Sequence, residues 1–273
     1  MNREGFRFYN PCELLQPYVR CYWVFVSRRP ASALTVPVGC PQLIFHKRTP
    51  LYVPELNAAQ AKLTVSGQVD FASHLRSDGD TEMIVAVFRP HAMGAFLHVP
   101  VSLFYNREVS GYDLENGSLN ELAERIESCA DDARCVALIE GWLLGQLHAA
   151  QEAGLRTNLR RMEAAVRRIC TVPRTSVSEL AAQACLSKKQ FERSFRSCVG
   201  INPKAYARIV RFHRALNRMQ SDPRPLAQAQ IADACGYADQ SHFIREFRRL
   251  GGRTPLSLAE AVDPSSNLFA DLA

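Results

Sequence analysis

The C-terminal part of the chain contains one pattern twice, and this internal repeat is the strongest restriction on its fold. Two phenylalanines four residues apart, a glycine and a proline recur at a constant offset of 52 residues. The members are Phe191, Phe195, Gly200 and Pro203 in the first copy, and Phe243, Phe247, Gly252 and Pro255 in the second. A segment of this length that occurs twice is one supersecondary unit used twice in the same chain.

Helix-start signals divide each copy into two helices. Ser176 and Ser187 each stand three residues before a Glu or Gln, which is the capping-box spacing, and Asn202 precedes a proline at a first helical position. The predicted helices cover residues 159–170, 176–184, 187–199, 203–220, 226–235 and 239–250, and a last short helix begins at 255. Each copy is therefore a helix, a short turn and a second helix, and the long helix 203–220 joins the copies.

This arrangement is typical of a helix-turn-helix unit, whose second helix lies in the major groove of DNA. Phenylalanines four apart lie on one helix face and pack inward, which leaves the opposite face for DNA. The predicted DNA-binding residues are Ser187, Lys188, Lys189, Gln190, Glu192, Arg193 and Arg196 in the first copy, and Asp239, Gln240, Ser241, His242, Arg245 and Arg248 in the second. Arg193 and Arg245 are the leading candidates for base contacts, because arginine pairs with guanine in the major groove.

The charge of the chain is distributed unevenly. Residues 1–155 contain 13 Lys and Arg against 17 Asp and Glu, a net charge of −4, whereas residues 156–273 contain 20 against 10, a net charge of +10. A basic C-terminal part is the electrostatic pattern expected of a nucleic-acid-binding domain. The same charge would also suit a helical module that binds an acidic protein, so charge alone leaves both open.

The N-terminal part has the pattern of a β-rich domain. Short apolar or β-branched runs at 20–27, 42–46, 62–69 and 82–90 are separated by turn signals and lack long helical patterns between them. We expect an antiparallel sandwich or barrel over residues 1–112. The predicted fold class is α+β, with this β domain, two following helices and an all-α double helix-turn-helix domain.

Two amphipathic helices are predicted over 113–150, between the β-rich and basic parts. Ser118 stands three residues before Glu121, a capping box for the first helix. The second helix carries an apolar stripe formed by Val136, Ile139, Leu143 and Leu147. This stripe either forms a homodimer surface or packs on the β domain. Residues 151–158 are the predicted linker, 159–262 the DNA-binding domain and 263–273 a tail.

Residues 160–260 resemble the DNA-binding domain of AraC/XylS-type transcription regulators. The stretch IADACGYADQSHFIREFRRLGGRTP is similar to the family signature almost position for position, and LAAQACLSKKQFERSFRSCVGINPKAY fits as well. The pieces YVRCYWVF, VPVGCPQLIFH, VSGQ and VAVFRPHAMGAFL are similar, more weakly, to the sensor half of some members. The resemblance implies a DNA-binding regulator, activation through RNA polymerase, and control by a small effector through a β-sandwich.

Candidate effector-binding residues lie in the β-rich part. They are Trp23, Phe45, His46 and Arg89. Each has a structural alternative: aromatic side chains more often fill a core, a lone histidine without a partner is more often structural than a metal ligand, and Arg89 lies in a strand-end loop.

Other function classes find little support. The chain contains no G-x-S-x-G, G-x-G-x-x-G or P-loop motif, so no enzyme, cofactor or metal site is predicted, although an enzyme domain fused to a DNA-binding domain stays an alternative. Nine cysteines without a C-x-x-C pair are expected to be reduced, with Cys185, Cys198 and Cys235 as core residues. No long apolar run or secretory signal is present, and a cytoplasmic protein is expected.

Overall fold

The computed structural model describes residues 4–149, 153–221 and 228–262. The strands are β1 (Gly5–Tyr9), β2 (Val19–Ser27), β3 (Ala31–Thr35), β4 (Gln42–His46), β5 (Tyr52–Val53), β6 (Ala58–Ala59), β7 (Leu63–Ser66), β8 (Ser73–Ser77), β9 (Thr81–Phe88) and β10 (Glu108–Ser110). The helices are α1 (Met93–Leu97), α2 (Gly117–Ser128), α3 (Asp132–Ala149), α4 (Ala153–Thr171), α5 (Val177–Gln183), α6 (Lys188–Val199), α7 (Pro203–Ser221), α8 (Gln228–Ala234), α9 (Gln240–Gly251) and α10 (Pro255–Ala261). The predicted α+β class is confirmed.

The strands form a sandwich of two antiparallel sheets. The larger sheet has the order β1-β2-β9-β4-β7-β10, and the smaller has the order β3-β8-β5-β6. The four predicted strands are β2, β4, β7 and β9, which are the four inner strands of the larger sheet.

Strand β9 shows how the sandwich is stabilised, because every one of its residues is buried. Successive side chains of a strand point to opposite faces. Val85 and Val87 therefore pack with Trp23 between the two sheets, whereas Ile84 and Ala86 join the core on the other face of the larger sheet. The second core needs a cover, and the helices supply it.

Helix α3 covers that outer face, and this decides between the two roles predicted for its apolar stripe. Ile139 and Leu143 are fully buried in the core of the N-terminal domain, and Val136 is almost so. Leu147 is partly buried against the same core. The stripe packs on the β domain within one chain, so its assignment as a homodimer surface is wrong.

The start of α2 and the predicted linker also differ from expectation. Asn116, not Ser118, caps α2, and its side chain accepts a hydrogen bond of 3.1 Å from the Leu119 backbone N–H. Ser118 instead donates to the Asn116 side chain. The linker predicted over 151–158 is helical from Ala153, within α4, and residues 150–152 lie outside the described part. The domain boundary itself stays a prediction.

The C-terminal helices form two cores, one for each copy of the repeat. The first contains Phe191 and Phe195, and the second contains Phe243 and Phe247. Helix α7 contributes to both, with Tyr206 in the first and Phe212 in the second. The long predicted helix 203–220 therefore joins the two units through their cores.

The N-terminal domain contacts both units. Val36 lies in the core of the second unit, the buried His213 of α7 donates from Nε2 to the Pro37 carbonyl, and Arg249 of α9 forms an ion pair of 3.4 Å with Asp70.

On the first unit, Gly200 ends α6 with a φ of 96°. A Cβ at this position would lie 3.2 Å from the Gln68 and Val101 side chains, so glycine serves both the helix end and the close approach.

The cysteines are free thiols in the described structure, but they are not uniformly core residues. Cys235 is buried and Cys198 is partly buried, whereas Cys185 is exposed, with a φ of 53° in the turn between α5 and α6. The core assignment of Cys185 is wrong, because this residue lies exposed in the turn. Over the described ranges, no helix is both long enough and apolar enough to cross a membrane.

Candidate nucleic-acid interface

The first unit consists of α5, a short turn and α6. Both helices begin with a complete capping box, as predicted. The Glu179 N–H donates to Ser176 Oγ at 3.2 Å and the Ser176 N–H donates to Glu179 Oε2 at 2.7 Å. Ser187 and Gln190 form the equivalent pair at 3.3 and 3.1 Å. These bonds fix where α6 begins, and therefore which of its residues reach outward.

The second unit consists of α8, a turn and α9, and it has a different cap. Asp239 accepts a hydrogen bond of 2.6 Å from the His242 backbone N–H. Gly236 has a φ of 84° in the turn, a conformation that glycine adopts without strain. Because Asp239 provides the cap, the alanine at position 238 does not weaken the helix start.

The inward faces of α6 and α9 are built alike. Phe191 and Phe195 are fully buried with ring centroids 5.7 Å apart, and Phe243 and Phe247 are fully buried at 4.6 Å. Burying a phenylalanine side chain contributes about 1.5–3 kcal/mol. These pairs hold each helix on its unit and determine the face that remains outside. We call α6 and α9 the recognition helices.

The outward faces carry cations without anionic partners. The set comprises Lys188, Lys189, Arg193 and Arg196 on α6, and Arg245 and Arg248 on α9. All six are exposed, and none forms an ion pair with any residue in the described ranges. Six uncompensated positive charges on two helix faces attract a polyanion.

A groove borders the first recognition helix. It has a volume of about 770 Å³ and is lined by Pro100, Ser102, Glu192, Arg193, Arg196, Ser197, Asn202, Pro203 and Lys204. Its wall opposite α6 comes from a turn of 3-10 helix in the N-terminal domain, Val101–Phe104. The N-terminal domain therefore lies beside the face that carries Arg193.

The remaining predicted DNA-binding residues, apart from His242, fall into two groups. Gln240 and Ser241 are exposed and available, and Glu192 is half-buried at the groove. Ser187, Gln190 and Asp239 are exposed, but their side-chain oxygens already bind backbone N–H groups at the helix starts. For this second group, helix capping is the role that the structure supports.

His242 is turned toward the protein. The Ala238 N–H lies 3.4 Å from its Nδ1, its Nε2 lies 3.6 Å from Glu246, and its ring meets the edge of Tyr237 at 5.4 Å. Both ring nitrogens therefore face protein groups, unlike the side chains of Gln240 and Ser241.

Sequence reasoning missed Glu246. Glu246 belongs to α9, and its carboxylate is buried against α7. It lies 3.0 Å from Arg208 Nε and 3.5 Å from Arg211 Nη2, both on α7. Arg211 also lies over the Tyr237 ring at 5.5 Å. Burial and the neighbouring Glu246 carboxylate raise the pKa of Tyr237. In the sequence, a glutamate four residues after a histidine in a basic helix has the spacing of a solvent-exposed ion pair. Only the tertiary packing shows that the glutamate is buried.

The four candidate effector residues do not converge on one place. Trp23 and His46 point between the two sheets, Phe45 points to the opposite face of the larger sheet, and Arg89 is exposed and donates from Nε to the Gln16 carbonyl at 2.7 Å. A common effector pocket therefore has no support from their placement.

Among those four residues, His46 is buried and belongs to a chain of side-chain hydrogen bonds. Its Nε2 is 2.8 Å from Gln60 Oε1, and Gln60 donates to Glu108 at 2.9 Å. Burial lowers the pKa of His46 to about 4, which keeps the imidazole neutral near pH 7. Within the described residues, no group of three or more His, Cys, Asp or Glu side chains is placed to hold a metal ion.

Comparison with known proteins separates the chain into two matched regions. A family described as a helix-turn-helix domain matches residues 180–261, and a domain of unknown function, DUF6597, matches residues 7–110. The first region contains both recognition helices. The chain carries an AraC-type helix-turn-helix domain. The resemblance predicted from the repeat is thereby confirmed.

Relatives of the AraC-type domain are named as regulators. A probable transcriptional regulator, LumQ, from Photobacterium leiognathi is 39% identical over 29% of this chain and 32% of its own. A transcriptional activator, RhaS, from Pectobacterium carotovorum is 28% identical over 52% of each chain. A solved structure of a probable AraC family regulator from Rhodopseudomonas palustris is 23% identical, has a TM-score of 0.34, and covers 38% of this chain and 99% of its own. The match to this chain covers about a third of LumQ and about half of RhaS.

Proposed function

We propose that this protein is a sequence-specific DNA-binding transcription regulator. The observation that carries the proposal is the pair of recognition helices, each fixed by a buried phenylalanine pair and each presenting exposed cations without ion-pair partners in the described part of the chain. Two such helices in one chain fit two adjacent major-groove segments, about one turn of DNA apart.

The roles of the outward residues follow from their chemistry. Arg193 and Arg245 are the proposed base contacts, supported by their exposure near the second turn of each recognition helix. Lys188, Lys189, Arg196 and Arg248 are the proposed phosphate contacts, because lysine and arginine side chains bind the backbone without regard to sequence. Gln240 and Ser241, exposed at the start of α9, complete the proposed reading surface.

The N-terminal domain is the proposed control element. It meets both helix-turn-helix units, through Val36 and Asp70 on one side and through Val101 on the other. A small effector that altered the loops bearing these residues would change the setting of the recognition helices. The name of the RhaS relative, a transcriptional activator, favours activation. RNA polymerase is the partner that we propose for this step.

The first experiment is selection of binding sites from random DNA duplexes by the full-length protein. We expect a bipartite site of two conserved segments about 10 base pairs apart. Affinity for that site should fall steeply from 50 to 200 mM salt, because each neutralised phosphate releases bound counterions. Replacing Lys188 and Lys189 by Gln should reduce this salt dependence and leave the sequence preference unchanged.

Two outcomes would contradict the proposal. If no sequence is enriched while the protein binds acidic polypeptides tightly, the basic surface serves a protein partner. If the enriched site contains a single segment, only one recognition helix contacts bases. Transcription by RNA polymerase from a promoter carrying the selected site then tests activation against repression.

A further inference from the structure

The buried carboxylate of Glu246 has no counterpart in the first unit. The repeat offset of 52 residues, which superposes Phe191 on Phe243, places Ser194 opposite Glu246. Ser194 is half-buried on α6, whereas Glu246 is 3% exposed on α9. The two recognition helices are therefore held by different means, although their aromatic faces are alike.

Three nitrogen-bearing side chains from two helices approach Glu246, and Tyr237 is a further neighbour of its carboxylate. Arg208 and Arg211 approach from α7 at 3.0 and 3.5 Å, and His242 approaches from the preceding turn of α9 at 3.6 Å. A charge buried from water is stable only when it is paired, and removing its partners is costly. The side chain is too deeply buried to touch DNA itself.

These contacts fix the rotation of α9 about its own axis. Each residue of an α-helix turns by about 100°, so a one-residue rotation would carry Glu246 away from both guanidinium groups. The same contact draws His242 inward, because residues four apart share a helix face. Gln240, Ser241 and Arg245 are then left on the outward face.

We propose that Glu246 is a positioning residue for sequence recognition by the second unit. It sets the base preference of the DNA segment that α9 reads without contacting that DNA, by tying α9 to α7 and holding His242 against the protein. The inference rests on the proposed function and deepens it. It assigns the second unit an electrostatic anchor that the first unit lacks.

The test is site selection from random duplexes with full-length variants. Arg193→Ala and Arg245→Ala first identify the segments read by α6 and α9, since each should flatten one of them. Glu246→Gln keeps the shape of the side chain and removes its charge. We expect discrimination among bases to fall about tenfold in the α9 segment and to be unchanged in the α6 segment, the scale of one base contact. Ser194→Ala, at the matched position, should change neither segment.

A second pair of variants covers the case in which Glu246→Gln does not fold. Arg208 is partly exposed, so its replacement disturbs the core less than a change at Glu246. The Glu246 carboxylate also keeps its ion pair with Arg211 when Arg208 is replaced. Arg208→Gln should flatten the α9 segment, and Arg208→Lys, which retains the charge, should restore it. Simple loss of packing would not distinguish these two variants.

Three results would overturn the inference. They are a folded Glu246→Gln protein with unchanged preference, equal flattening of both segments, and identical behaviour of Arg208→Gln and Arg208→Lys. Circular dichroism and the melting temperature report folding for each variant. A wild-type protein that enriches no sequence contradicts the proposed function instead, so the two failures are distinguishable.

Discussion

At the scale of single residues, exposure divides the predicted DNA-binding set into side chains that are available and side chains that hold the helices. Arg193 and Arg245 are exposed, whereas Ser187 and Asp239 cap helices and His242 turns toward Glu246. The pattern of residue types predicts which face is outward, because helical spacing fixes it. The capping-box spacing also predicts that Ser187 and Gln190 bind backbone N–H groups. It does not predict the inward turn of His242, which depends on the tertiary contact with Glu246.

The two arginines give a direct residue-scale prediction. Arg193→Ala and Arg245→Ala should each weaken binding to the selected site by about 1–3 kcal/mol and relax the preference at one base position. Arg253→Ala is the matched control, an exposed arginine beyond the end of α9. Competition titrations against single-base variants of the site measure both effects. Unchanged affinity and preference in both variants would show that these arginines are not base contacts.

At the scale of elements, sequence periodicity located α3 and the helices of the repeat. It could not show which surface the apolar face of α3 packs against. The stripe of Ile139 and Leu143 fits a dimer seam and an intramolecular cover equally well, because both bury one face of a helix. The short strands were missed for a related reason. β5 and β6 have two residues each, too few for an alternating pattern, and they depend on pairing with distant neighbours.

The position of Leu143 predicts the consequence of adding a charge to α3. Leu143→Glu should destabilise the N-terminal domain by several kcal/mol, because it places an unpaired carboxylate in a fully buried site. Ala137→Glu, on the exposed face of the same helix, should have little effect. Urea unfolding followed by circular dichroism measures both. A folded Leu143→Glu protein with normal stability and altered sedimentation would instead restore the dimer assignment.

At the scale of the whole molecule, the N-terminal and C-terminal parts share a core, which composition could not reveal. The charge difference and the small residues near 154 suggest two independent halves. Yet Val36 packs with Phe212 and Phe247, and His213 of α7 binds the Pro37 carbonyl. Such contacts join residues far apart in sequence, and no local pattern encodes them. A fragment that begins at α4 would leave this part of α7 uncovered.

Three buried histidines make the stability of the molecule depend on pH. Burial lowers the pKa of His46, His91 and His213 to about 4 from the usual value of 6.5. Below pH 6.5 the unfolded chain binds protons that the folded chain does not bind, so the free energy of unfolding falls as the pH drops toward 4. For each histidine the loss between pH 7 and pH 5 is about 2 kcal/mol.

His213 allows this pH dependence to be tested at the junction between the two parts. Its Nε2 donates to Pro37, and its buried Nδ1 has no hydrogen-bond partner among the described residues, so a second proton would have no acceptor there. His213→Gln can keep the bond to Pro37 and cannot take up a proton. Urea unfolding at pH 7, 6 and 5 should show a decline that is smaller by about 2 kcal/mol in this variant than in the wild type. Equal declines in the two proteins would mean that His213 titrates normally, and that the contact between α7 and the N-terminal domain is open to water.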